Sequence, residues 1–229
     1  MILCITNYVA AEFTANVLLA IGERPLMSSC PEEMDELTAR CDALLVNIGC
    51  LDRQQIEAMK IAVEAAKRYG KPWVLDPVGV QASQIRLDTC KELIALNAPT
   101  MIKGNKAEME FILPRIEYAG VAVTTGAVDW IEAGKSGMSR KSGYSGDSGK
   151  SASIALGSPM MDGVTGMGCA LGGVCAAFLA READPFKAAV KALTLYGKAG
   201  QDGSNGCNGK SGQLGTFKTK FIDELSRLS

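Results

Sequence analysis

The sequence predicts an α/β protein, a mostly parallel sheet covered by helices. Three observations carry this: short apolar runs closing on turn residues, helix-spaced stretches between them, and two strand-helix-strand units in succession. At 229 residues the chain is long enough for one sizeable core, so 1–229 is expected to form a single domain.

Taken in order, Ala43-Leu44-Leu45-Val46-Asn47-Ile48-Gly49 is a short, largely apolar run ending in a turn glycine, hence a buried strand. Asp52 opens a helix through Tyr69, with apolar residues at 56, 59, 63 and 66, and Gly70 and Pro72 stop it. Trp73-Val74-Leu75 begins the next strand. Arg86–Asn97 is a helix, Thr100–Lys103 a strand and Val121–Thr124 a fourth strand. Gly168–Ala180, Pro185–Ala199 and Lys218–Leu228 are helices. Two stretches, 134–153 and 200–215, are rich in Gly, Ser and Lys and are expected to be flexible.

Composition narrows the chemistry. The formal net charge is -1, from 24 basic and 25 acidic residues, so no strong field is available for nucleic acid or an anionic membrane. The N-terminus lacks a basic segment and its apolar run is short, and no uncharged apolar stretch reaches the roughly 18 residues of a membrane span; the apolar run Ala170–Ala180 is ended by Arg181, Glu182 and Asp184. A cytoplasmic location is expected. The eight cysteines include no CxxC pair and are expected to be reduced thiols. The chain contains no histidine, which removes Ser-His-Asp and Cys-His nucleophiles, HExxH sites and any histidine base. Phosphoryl transfer fits that restriction, since it depends on positioning and electrostatics.

Gly-Lys-Ser occurs at 134–136, 149–151 and 209–211, but the phosphate-binding loop needs a glycine five residues earlier. Those positions hold Asp129, Tyr144 and Ser204. Val164-Thr165-Gly166-Met167-Gly168-Cys169 is better placed, because two glycines open an apolar helix whose N–H groups can converge on an anion. Cys169 falls in the first turn, where the helix dipole is expected to lower a thiol pKa. The same residues also suit plain close helix packing around a buried cysteine. Asp76-Pro77-Val78-Gly79 and Gly104-Asn105-Lys106-Ala107-Glu108 each end a strand, where ligands bind in open α/β sheets. Asp76 and Glu108 can serve Mg²⁺, directly or through water, or act as a turn residue and a helix cap.

Ile5-Thr6-Asn7-Tyr8-Val9, Thr14-Ala15-Asn16, Pro25-Leu26-Met27, Leu75–Gly79, Gly104-Asn105…Glu108 and Val164–Cys169 follow one another as in the hydroxyethylthiazole kinases, and the chain resembles that family over roughly 3–133 and 156–228. The resemblance implies a ribokinase-like three-layer α/β/α fold and a homotrimer with sites between subunits. It also implies ATP-dependent phosphorylation of 4-methyl-5-(2-hydroxyethyl)thiazole in thiamine salvage. Carried over by position, Asn7, Met27 and Gly166 would bind the thiazole, and Lys103 and Thr125 would meet ATP. Asp76 and Glu108 would serve Mg²⁺, and Gly166, Gly168 and Cys169 would form the catalytic anion hole. A non-catalytic thiazole binder and another ribokinase-like small-molecule kinase are the alternatives the resemblance leaves. The chain departs from the family in having lysine at 103 where arginine is usual, a short 110–120 segment, and an insertion at 134–153 in a hairpin over the ATP side.

Overall fold

The computed structural model describes residues 1–134, 149–207 and 213–229. Its centre is one eight-stranded sheet in the order β2-β1-β3-β4-β5-β6-β7-β8. The strands are β1 (Ile2–Ile5), β2 (Pro25–Met27), β3 (Ala43–Asn47), β4 (Trp73–Asp76), β5 (Met101–Asn105), β6 (Val121–Thr125), β7 (Asp129–Ala133) and β8 (Ser151–Ile154). β2 through β6 are mutually parallel, while β7 and β8 fold back antiparallel. The central strands are buried on both faces, which is why they are continuous apolar runs without alternation.

Eight α-helices cover the described sheet: α1 (Ala11–Ala20), α2 (Met34–Arg40), α3 (Arg53–Tyr69), α4 (Gln84–Leu96), α5 (Lys106–Ile112), α6 (Met167–Arg181), α7 (Pro185–Gly203) and α8 (Leu214–Leu228). One apolar core joins α1, α6, α7 and α8 to one face, with Phe13, Val174, Leu193 and Phe221 in it. The other joins α2 to α5 to the opposite face through Met34, Met59, Leu93 and Met109. This is the three-layer α/β/α arrangement. α3 illustrates why the helices stop and start where they do. The Asp52 side chain accepts the Gln55 N–H at its first turn, and Gly70 closes it in the left-handed region at φ 62°.

The predicted elements fall within a few residues of the observed ones. The exceptions are the ends of the two Gly-rich stretches. Ser151–Ser153 belong to β8, whose pairing with β7 supplies the backbone partners, and Gly200–Gly203 complete α7, where Gly203 packs without a side chain against the Phe221 backbone. Leu214 and Gly215 open α8. The rest of those stretches, at 135–148 and 208–212, lies outside the described residues. β7 and β8 do form the hairpin expected to carry the insertion.

Strand order changes direction between β1 and β3: β2 lies on one side of β1 and β3 on the other. In open α/β sheets this switch opens a crevice beyond the carboxyl ends of the strands. Asn7 follows β1, and Asn47 ends β3.

Candidate active site

At that crevice four strand ends and one helix start meet. The Asn7 side chain, 5% exposed, accepts the Ala10 N–H at 3.0 Å and donates through Nδ2 to Asn47 Oδ1 at 2.9 Å and to Cys169 Sγ at 3.3 Å. Asn47 Oδ1 also accepts the Gly49 N–H at 2.9 Å, and its Nδ2 donates to Asp76 Oδ2 at 2.8 Å. Asn47 and Asp76 are paired in the β3–β4 register, so the sheet itself brings them together.

Asp76 is fully buried, and its Oδ2 receives a second donor, Lys103 Nζ, at 3.1 Å. Lys103 also donates to the Gly168 carbonyl at 2.8 Å, which fastens the first turn of α6 to β5. From the α7 side, Tyr196 Oη donates to the Met167 carbonyl at 2.7 Å. Burial pushes the Asp76 carboxyl up to about 6, against the opposing pull of Lys103. Burial alone would lower the Lys103 ammonium, but Asp76 and Cys169 outweigh it and hold it above its ordinary value. At neutral pH the pair is therefore ionised.

α6 opens at Gly166, whose φ of 90° lies in the region that favours glycine and turns the chain into the helix. The N–H groups of Gly168 and Cys169 have no acceptor among the described residues, and Gly168 is exposed. Free donors at a helix start form an anion site. Cys169 is half-buried in that turn. The expectation of a lowered thiol pKa is corrected here: burial, and next the Asp76 charge, raise it, and Lys103 and the neighbouring asparagines offset this only in part. The dipole of one helix end does not overcome desolvation beside a carboxylate.

Glu108 is committed to structure. Its Oε2 accepts the Asn105 N–H and Asn105 Oδ1 accepts the Glu108 N–H, a capping box at α5, while Oε1 accepts the Gly79 N–H at 2.9 Å. Each of its oxygens keeps a further lone pair, and Asp76 Oδ1 has no hydrogen-bond partner in the described structure. These carboxylates fit a divalent cation held through water rather than a direct protein cage. No group of three or more His, Cys, Asp or Glu among the described residues is placed to hold a metal.

Thr125 ends β6 opposite Asn105 and donates to the Gly104 carbonyl at 3.3 Å. Met27 ends edge strand β2, which packs beside α1, in register with Cys4 and half-buried against the core. Asn7, Asp76, Lys103, Gly168 and Cys169 thus stand in one connected cluster. Glu108 joins it through the Gly79 loop, and Thr125 and Met27 lie at the sheet ends on either side.

Two residues of this region escape a reading of the sequence. Asn47 carries a faint signal, as the polar residue in an apolar strand run. Arg86 carries none. Its guanidinium donates to the carbonyls of Ile48 (2.6 Å), Gly49 (2.7 Å) and Val78 (2.8 Å), binding the loop after β3 to the loop after β4.

Fold and site together define a ribokinase-like α/β/α protein with open N–H donors at a helix start beside a buried acid–lysine pair. Residues 1–229 match the model of the hydroxyethylthiazole kinase family, and the chain belongs to that family. A probable hydroxyethylthiazole kinase of Agrobacterium fabrum is 38% identical over 228 residues, spanning 99% of this chain and 83% of that protein. A hydroxyethylthiazole kinase of Listeria monocytogenes is 39% identical over 235 residues, covering 98% and 87%. The solved hydroxyethylthiazole kinase of Pyrococcus horikoshii superposes with a TM-score of 0.84 at 30% identity, covering 99% of this chain and 87% of that one. An ADP/ATP-dependent NAD(P)H-hydrate dehydratase from Bacillus subtilis, at 14% identity and a TM-score of 0.56, shares the fold.

Proposed function

We propose that this chain phosphorylates the hydroxyl of 4-methyl-5-(2-hydroxyethyl)thiazole with ATP, a salvage step for thiamine. The observation that carries the reading is the start of α6, where the unpartnered Gly168 and Cys169 N–H groups lie beside Asn7 on one side and the Asp76–Lys103 pair on the other. Family membership supports the substrate.

In this reading Asn7, Met27 and Gly166 hold the thiazole, so that its hydroxyl lies near Cys169. The alcohol oxygen bonds to the γ-phosphorus as the bridging bond to ADP breaks. Charge on the transferring group is met by the Gly166–Cys169 turn. A thiol raised by burial stays protonated near pH 7. Cys169 therefore orients the hydroxyl rather than taking its proton, which leaves late, for the transferred phosphoryl oxygens or solvent. Two Lys103 donors are engaged with Asp76 and Gly168. The third remains for a phosphate, with Thr125 at the next strand end. Mg²⁺, held by Asp76 and Glu108 through water, would neutralise phosphate charge when bound. The homotrimer belongs to the same proposal, supported by Tyr8 and Val9, exposed at 79% and 58% directly after Asn7.

A coupled assay with Mg·ATP, with and without the thiazole alcohol, tests the reading. Thiazole-dependent ADP release, abolished by EDTA, is expected. Thiazole that raises the melting temperature without ADP release would replace the kinase with a binding protein.

A further inference from the structure

The hydrogen bonds at the strand ends close on themselves. Asn7 donates to Asn47, Asn47 to Asp76, Lys103 to both Asp76 and Gly168, and Cys169, bonded to Gly168 through the peptide, accepts from Asn7. Two backbone groups fix the sense of this ring. The Ala10 N–H, shared with the Asn7 main-chain carbonyl at 3.1 Å, lies 3.0 Å from the Asn7 side-chain oxygen; an amide nitrogen there would face a donor, so Asn7 presents Oδ1 to it and Nδ2 to the ring. The Gly49 N–H likewise fixes Asn47, whose Nδ2 is left facing a carboxylate. Neither amide can flip without setting donor against donor.

We propose that Asn47 is a positioning residue of this site: it couples the Asn7 amide to the Asp76–Lys103 pair, so that the alcohol side and the phosphate side are held as one unit. Asn47 is completely buried at the sheet's switch point and touches neither proposed substrate. Its amide bridges Asn7 and Asp76 directly, whereas the ring's other arm runs through Cys169, Gly168 and Lys103. A buried polar residue with both ends matched is worth more as an orienting group than for its net stability, since the low local dielectric penalises every alternative arrangement. Its role in turnover rests on the kinase reading, but the ring stands on geometry alone.

Hydrogen exchange at the asparagine side-chain amides tests this on the full-length, ligand-free protein labelled with ¹⁵N at asparagine. The Asn7 signals are assigned from Asn7→Ala. With Asn47→Ala, exchange at the Asn7 side-chain amide should quicken at least tenfold while backbone amides of the sheet keep wild-type rates. Asn7 rates within twofold of wild type in a folded Asn47→Ala chain would overturn the proposal. If that variant does not fold, Asn47→Ser decides, because its shorter side chain breaks the link to Asp76 while leaving a polar group near the Gly49 N–H. Its Asn7 side-chain amide should exchange at least tenfold faster than wild type, and rates within twofold of wild type overturn the proposal. In turnover, Asn47→Ser should lower kcat at least tenfold. Absence of turnover in the wild type would sink the kinase reading and leave the exchange result standing.

Discussion

Replacing Lys103 with methionine keeps the length of the side chain and removes its charge. Lys103 and Asp76 have side chains 4% and 0% exposed, and water does not screen the pair. Breaking such a pair by deleting one partner costs about 3–5 kcal/mol. In a domain of this size that lowers the melting temperature by roughly 6–20 °C. The loss should depend on pH, and its sign follows from Asp76. Its folded value of about 6 lies above the ordinary 3.8, so the folded state binds the proton more tightly and gains stability as pH falls through that window. Between pH 7.5 and 5.5 the wild type gains only about 1 kcal/mol, because its carboxylate protonates late in the interval. In K103M the carboxyl, freed of its cation, is held protonated by burial across that interval and gains about 3 kcal/mol. Urea denaturation at the two pH values should therefore show the deficit of K103M narrowing by roughly 2 kcal/mol in acid. A deficit below about 1 kcal/mol, or one that is the same at both pH values, would refute the claim that a desolvated ion pair anchors the site.

Gly49→Ala would place a Cβ 2.7 Å from Asn7 Nδ2 and 2.8 Å from its Cβ, against a side chain that cannot retreat. We expect a stability loss of about 1–3 kcal/mol and at least a tenfold rise in KM for the thiazole alcohol, read by thermal melts and steady-state kinetics. Arg86→Met deprives three carbonyls of their donor. Because the guanidinium is only half-buried, water replaces part of this, and the cost should be about 2 kcal/mol, with faster amide exchange confined to 48–52 and 77–79. The pH profile of kcat/KM should fall about tenfold per unit below about pH 6, as Asp76 takes the proton that releases Lys103. A flat profile to pH 5 would separate Asp76 from turnover.

The sheet was legible because parallel strands buried on both faces must be apolar throughout, and β3 to β6 are short runs that cannot be mistaken for helices of ordinary length. The start of α6 was legible for a different reason: two glycines open an apolar helix, and although that pattern suits close packing as well, the motifs at the neighbouring strand ends favour the site. Strand order was not legible. Local pattern carries no record of which strands become neighbours, so the Asn47–Asp76 pairing, set by the β3–β4 register, was hidden. Arg86 was hidden for the same reason, since its partners are backbone carbonyls that any residue supplies. The thiol of Cys169 was misread because helix position is local and visible, whereas the burial and the carboxylate that raise its pKa come from distant parts of the chain.

The lysine at 103 fits this arrangement. A planar guanidinium would offer its donors in a fixed fork, suited to one carboxylate or phosphate edge. The ammonium instead sends one donor to the Asp76 carboxylate on β4 and another to the Gly168 carbonyl on α6, two acceptors on different elements. Its charge thus acts first on the protein, neutralising Asp76 and holding the first turn of α6 against the sheet. In the proposed reaction the start of α6 then offers backbone donors fixed before any substrate arrives. Such preorganised donors need little rearrangement as charge develops, which favours transition-state stabilisation over tight ground-state binding. The buried pair and the open helix start are accordingly two ends of a single electrostatic device, and a change at Lys103 should alter α6 before it alters any contact with phosphate.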